Sequence, residues 1–359
     1  MPTAKDIYTF RLLPFPGLLL IALGTIAPGY SFAIDATDVA MPELPVVLTP
    51  ARMKQSIADT PASVTIITAD MLESFAIRSL PDALRLVPGM AITNDTGNDY
   101  RVGYHGSNIL SPRRMNVLID GVSAYRTGVA RLDWKDLPVA IADIERIEVT
   151  RSPDSAAWGP NSMMGVINIV TRHPADSGNG MLQAGFGSKG AVDATVRLAG
   201  NVGEQTVYRM TVNRIEDHGY DLASTSTSDG AHDGTRLTKL MFNSVSDIGA
   251  STLGLDFRMV DGINQIDYLD KYQVTFPDVY LRTYDLSATW RKAISPNQEL
   301  QVLGYVTQRA DRQPWRTCLP PPLLLPEAFD LWGANPAYLK SFLAGRVPTG
   351  GTATDNALL

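Results

Sequence analysis

Several groups of residues in this chain are of types that could do chemistry. Tyr100, Arg101 and Tyr104, with Tyr125 and Arg126, set phenol rings beside guanidinium groups. That combination suits an anionic, aromatic ligand, and ordinary loop packing uses the same residues. Glu145, Arg146, Glu148 and Arg151 form a run of mixed sign. If the run is buried each charge must be paired, and breaking a buried pair costs about 3–5 kcal/mol. On a solvated strand face the same run is worth little. Glu216, Asp217, His218, Asp221, Asp229, His232 and Asp233 gather carboxylates and imidazoles that could hold a metal, but without rigid ligand spacing they read as a solvated surface loop. Gly185-Phe186-Gly187-Ser188-Lys189-Gly190 spells GxGxxG. A dinucleotide site needs a helix to follow, whereas Ala191 to Leu198 alternates with period two, so the stretch reads as a hairpin turn. Cys318, the one cysteine, can form no disulfide within the chain and reads as a partner for a cysteine elsewhere or a free thiol. The four histidines have no paired spacing that would suit haem. No nucleophile–base set stands out, so neither catalysis nor a cofactor is expected.

The elements that would position these groups fall into two regions of different period. The 359 residues are 45% hydrophobic and 19% charged, enough to bury a large core. A net charge of −6 argues against a nucleic-acid partner. From Val46 to about Pro174 the pattern is mixed. Ser63 to Thr68 reads as a strand, Ala69 to Phe75 and Ser79 to Val87 as short helices, and Asn116–Ile119, Ile144–Thr150 and Val166–Thr171 as further strands. Asp120-Gly121 is a turn signal. From Met181 onward alternation takes over: Val192, Ala194, Val196 and Leu198 share one face, and Asp193, Thr195 and Arg197 the other. Seven strands are predicted, near 181–187, 191–199, 206–215, 236–245, 252–260, 281–292 and 299–310. Beyond the short first connection, Ser188 to Gly190, short turns alternate with long polar connections. A soluble sandwich would not sort its loops by parity, whereas an outer-membrane barrel does.

Ahead of both regions, Lys5 and Arg11 precede an apolar run from Leu18 to Ile26, and Ser31-Phe32-Ala33 offers a cleavage site. This is the order of a secretory signal peptide over 1–33. About nine apolar residues are too few for a bilayer core that needs about 20.

Specific stretches then become recognisable. Val46-Val47-Leu48-Thr49-Pro50-Ala51-Arg52, Pro61 to Thr68, Leu84-Arg85-Leu86-Val87-Pro88-Gly89 and Asn116-Val117-Leu118-Ile119-Asp120-Gly121 resemble the plug domain of TonB-dependent outer-membrane receptors. So do Ile144 to Pro153, Trp158-Gly159 and Gly165 to Thr171. Ser152 stands where the family usually has glycine, and His105 where an arginine is usual. The resemblance implies an α+β plug domain, 46–175, followed by antiparallel transmembrane β-barrel strands, 181–310, about seven of the 22 such a barrel contains. Residues 311–359 would belong to an extracellular loop segment, and 34–45 to a periplasmic tail.

What the resemblance implies for function is import of a scarce nutrient, with a ferric siderophore or similar metal chelate as the default ligand. The outer membrane holds no ATP and no useful ion gradient, so moving the plug needs an energised partner, TonB. The segment that would recruit it is Glu43, Leu44, Pro45, Val46, Val47, Leu48 and Thr49, an extended run suited to strand addition; the alternative is that Val46–Thr49 is the plug's own first edge strand. Family analogy makes Glu145, Arg146, Glu148 and Arg151 plug–barrel contacts, whereas the aromatic and cationic chemistry of Tyr100, Arg101, Tyr104, Tyr125 and Arg126 would make them contacts for such a ligand. Outer-membrane lipid would surround the strands. Two other readings are a truncated, non-transporting fragment of such a receptor and an exported β-rich enzyme.

Overall fold

The computed structural model describes residues 10–11, 46–47, 55–60, 62–94, 97–104, 114–125, 132–220, 232–266, 278–295 and 298–314. Three short strands come first: β1 (Phe10–Arg11), β2 (Val46–Val47) and β3 (Gln55–Ser56). The α+β region follows with β4 (Val64–Thr68), α1 (Ala69–Ser74), α2 (Leu80–Leu84), β5 (Met90–Asn94), β6 (Tyr100–Tyr104), β7 (Met115–Ile119), β8 (Val122–Ser123), β9 (Ile144–Thr150), α3 (Ser155–Trp158) and β10 (Gly165–Thr171).

Local chemistry sets the boundaries of this region. The Thr68 hydroxyl accepts from Met71 N and caps α1, with Asp70 in the first turn. Ser79 caps α2 through Asp82 N, and Pro81 sits near the start of that helix, where its missing N–H costs nothing. α2 ends at Leu84, earlier than the sequence pattern suggests. The chain continues to Val87 through bonds from Leu86 N to Ala83 O and from Val87 N to Leu84 O, which tighten the turn. Asp120 and Gly121 both have positive φ, 50° and 82°, and close the β7–β8 hairpin as a primed turn.

Strands β4, β9, β10, β7 and β8 form one sheet in that order, with β10 and β7 parallel. All five residues of β7 are buried, as a strand covered on both faces must be. The core gathers Ile67, Leu84, Val117, Ile144, Ile147 and Ile167.

The second region is a meander: β11 (Gly180–Phe186), β12 (Val192–Val202), β13 (Thr206–Asp217), β14 (Thr235–Ile248), β15 (Ser251–Gln265), β16 (Asp278–Ser295) and β17 (Gln298–Arg312). The seven strands match the predicted ones, lengthened at most ends. Each pairs antiparallel with the next, and Phe10–Arg11 adds a two-residue edge to β11. The rest of the predicted leader lies outside the described residues.

Here the usual order of a soluble protein is inverted. Thr195 and Arg197 are 3% and 7% exposed, while their neighbours Val196 and Leu198 are 45% and 58% exposed. The register carries this across the sheet. Leu198, Met210, Phe242, Phe257, Leu286 and Val306 stand directly opposite one another in turn, an unbroken outward apolar rung. The adjacent inward rung runs Arg197, Thr211, Met241, Arg258, Asp285 and Thr307. An apolar band outside and polar groups inside is the arrangement lipid requires of a barrel wall. Phe242→Arg is therefore expected to destabilise the wall by about 2–4 kcal/mol, read as loss of folded protein in a urea titration with lipid vesicles. An effect near zero would show that Phe242 does not meet lipid.

Candidate functional site

The plug sheet sits against the inward face of β11–β17, and the contacts between them follow one rule of sign. The wall supplies mostly cations and the plug mostly carboxylates. At the short-turn end, Asp143, at the close of a short 3-10 turn before β9, is 1% exposed. Arg197 Nη1 lies 3.2 Å from its Oδ1, and Arg209 Nε lies 3.8 Å from its Oδ2. Arg197 also donates to Ala142 O at 3.0 Å, and Arg209 to Arg172 O. Halfway up, Arg258 binds Asp120 Oδ2. The same carboxylate accepts from Thr171 N at 2.8 Å and Thr171 Oγ1 at 3.0 Å, so the turn residue joins two plug strands to the wall.

Towards the long-loop end, the plug segment before β9 is pinned at four points. Arg309 Nη2 lies 2.6 Å from Asp136 Oδ2 and 3.4 Å from Asp133 Oδ2. Buried Lys239 donates to Val139 O at 3.2 Å. Lys135 reverses the sign and pairs with Asp217 at 2.9 Å. Between β7–β8 and β15–β17 remains a cavity of about 490 Å³ lined by Tyr125, Asp136, Arg258, Asp285, Tyr305 and Arg309 among others.

The residues singled out from sequence are placed differently from that ladder. Arg146 bridges Glu145 and Glu148, with its Nε 2.8 Å from Glu148 Oε1. Arg151 Nη2 donates to Ser63 Oγ at 2.6 Å. These bonds tie β9 to itself and to the residue before β4. Tyr100, Arg101 and Tyr104 lie on a regular strand, β6, rather than in an irregular segment, because Tyr100–Tyr104 pairs residue for residue with Met90–Asn94. Tyr104 belongs to the plug core, its ring 3.1 Å from where a Cβ on Gly89 would stand. Tyr100 carries Lys135 Nζ 5.6 Å from its ring centroid. Tyr125 donates its hydroxyl to Met115 O at 2.6 Å, and burial pushes its pKa up, so it stays a donor. Val46 and Val47 pair with Gln55 and Ser56, and Val47 is fully buried. Arg126, His105, Cys318 and residues 43–45 and 48–49 lie outside the described residues.

One expectation needs correction. The acidic stretch after β13 is not all solvated surface. Asp217 pairs with the plug, Asp233 is 1% exposed, and His232 binds Asp278 at 2.9 Å. Sequence reasoning missed Asp120, Asp133, Asp136 and Asp143. The available signal was on the wall: Arg197, Arg209, Lys239, Arg258 and Arg309 all fall on the inward register, and that many inward-facing cations call for anions opposite.

An open strand wall, apolar on one face and polar on the face that holds a folded α+β domain, is the arrangement of part of a plugged outer-membrane barrel. Residues 56–166 match the family model described as TonB-dependent receptor plug domain. The chain is similar to the vitamin B12 transporter BtuB of Vibrio cholerae, 27% identical over 251 residues, which cover 69% of this chain and 40% of that protein. It is also similar to BtuB of Vibrio vulnificus, 28% identical over 58% of this chain and 34% of that one. Among solved structures, the ferric yersiniabactin receptor FyuA of Yersinia pestis superposes with a TM-score of 0.59 at 18% identity, covering 71% of this chain and 42% of that one. The ferripyoverdine receptor of Pseudomonas aeruginosa gives 0.61 at 14% identity, covering 77% and 38%, so the shared feature is the fold. Residues 56–166 thus match the plug domain of TonB-dependent receptors, and the chain spans about 40% of the length of the first of these relatives.

Proposed function

We propose that this chain acts as a TonB-dependent importer of a metal chelate, of the ferric siderophore or cobalamin kind, across the outer membrane. The observation that carries the reading is the plug seated against the wall by ion pairs at several heights, fully buried at Asp143: a seal that holds at rest and needs outside work to move. In this reading residues 1–33 direct export, 46–175 form the plug, and the strands from 181 begin the wall. TonB recruits the plug through Glu43–Thr49, where adding one strand to another gives purchase without a dedicated pocket. Tyr100 and Arg101, at the long-loop end of the plug, are the proposed first contacts for an anionic ligand, joined by Arg126. Tyr104 and Tyr125 then support that surface from beneath.

The relatives divide between cobalamin and ferric siderophores, both of which present a metal in a large organic shell. A receptor-deficient strain expressing the full-length protein decides between them. Uptake of radiolabelled ferric siderophore or cyanocobalamin above the vector control, abolished when TonB is deleted, is the expected result. Uptake that persists without TonB would overturn the energy-coupled reading.

A further inference from the structure

The upper end of the plug is tied to the foot of the first long connection by contacts that do not belong to the ion-pair ladder. The Asp233 carboxylate, 1% exposed, accepts from Gly97 N through Oδ2 and from Tyr220 N through Oδ1 at 2.9 Å. Asn98 Nδ2 donates to Gly234 O at 2.9 Å and to Gln265 O at 2.6 Å, so one plug turn reaches both the entry to β14 and the end of β15. Glycine allows the backbones to meet there. A Cβ on Gly97 would lie 2.8 Å from Gly219 Cα, and one on Gly219, at φ +77°, would overlap the Asp233 carboxylate. On Gly234 it would come 2.9 Å from Asp217 O.

A buried carboxylate shared by two elements behaves as a switch rather than a spring. If either Gly97 or Tyr220 leaves, the charge keeps its burial and loses half of its backbone donors, so the remaining bond becomes costly to keep. Separation of the two elements is then cooperative.

We propose that Asp233 is a positioning residue that makes the plug turn Gly97–Asn98 and the foot of this connection open and close as one unit. A displacement of that foot on ligand capture thereby reaches β6 and the plug. That last consequence rests on the importer reading; the coupling itself does not.

Hydrogen–deuterium exchange on the ligand-free full-length protein in detergent tests it. In the wild type, amides at Gly97 and Tyr220 exchange at a common rate. Gly219→Ala, which wedges the contact, and Asp233→Asn, which removes the charge, each accelerate both 97–104 and 217–220 by about tenfold or more, leaving 144–150 unchanged. Acceleration on one side only, in either variant, overturns the proposal, because the two elements then open separately. Equal acceleration at 144–150 overturns it too, because Asp233 is then a general stabiliser of the fold. Failure of the wild type to take up chelate would count against the importer reading alone and leave the exchange result standing.

Discussion

Asp143→Ala is expected to lower the unfolding free energy by about 3–5 kcal/mol, a large effect for one exposed-to-solvent-by-nothing carboxylate. What remains after the change sets the cost. Arg197 and Arg209 are 7% and 3% exposed and keep their charge, because a guanidinium does not deprotonate in a protein. Carbonyl oxygens of Ala142 and Arg172 still accept from them, but the one carboxylate within 4 Å of both guanidinium groups among the described residues is gone. Asp143→Asn keeps an acceptor for Arg197 and falls between the two. Guanidinium titration of the full-length protein in detergent, followed by tryptophan fluorescence, reads the difference, since Trp134 is buried in the plug core. A loss below about 1 kcal/mol would mean the pair is solvated and contributes as a surface bridge does. Replacing all three residues by apolar ones of similar volume is expected to recover much of the loss, because the cost lies in the uncompensated charges rather than in the missing bond.

Val47→Pro in the full-length protein is expected to bring chelate uptake to the TonB-deleted background while surface binding is kept. Proline removes the N–H that a strand partner would use, and it fixes φ. The structure adds a complication that also supplies the control. Val47 is fully buried and paired with Gln55, so the side chain contributes to packing as well as the backbone to pairing. Val47→Ala removes the packing and keeps the donor, so its uptake should stay close to wild type. A Pro variant that transports, or an Ala variant as inactive as Pro, would show that strand addition at this residue is not how the plug is pulled. The β2–β3 ladder is two residue pairs long, which makes its exchange for another strand inexpensive.

The architecture was largely legible from periodicity. Each of the seven wall strands was predicted within a few residues, because alternation over ten or more residues leaves one register in which every apolar side chain faces the same way. The plug strands were legible for a different reason: Val-, Ile- and Thr-rich runs bounded by Gly, Pro and Asp turns. The site was less so. Charge runs such as Glu145–Arg151 attract attention because their members are adjacent in sequence, and adjacency favours bonds within one strand, as Arg146 makes with Glu145 and Glu148. The anchors that join plug to wall link residues far apart in the chain, Asp143 to Arg197 or Asp136 to Arg309. A turn signal at Asp120-Gly121 fixed the backbone conformation there and said nothing of Arg258.

The sequence by itself thus determined the two regions, the period of each and the division of every wall strand into a lipid side and an inner side, since these depend on spacing along the chain. Only the tertiary structure decided which carboxylate meets which cation, and that Asp233 and Asp217 turn inward rather than to solvent. Those pairings depend on how far each strand is staggered against a separately folded sheet, and a buried charge finds its partner by position in space, not by distance along the chain.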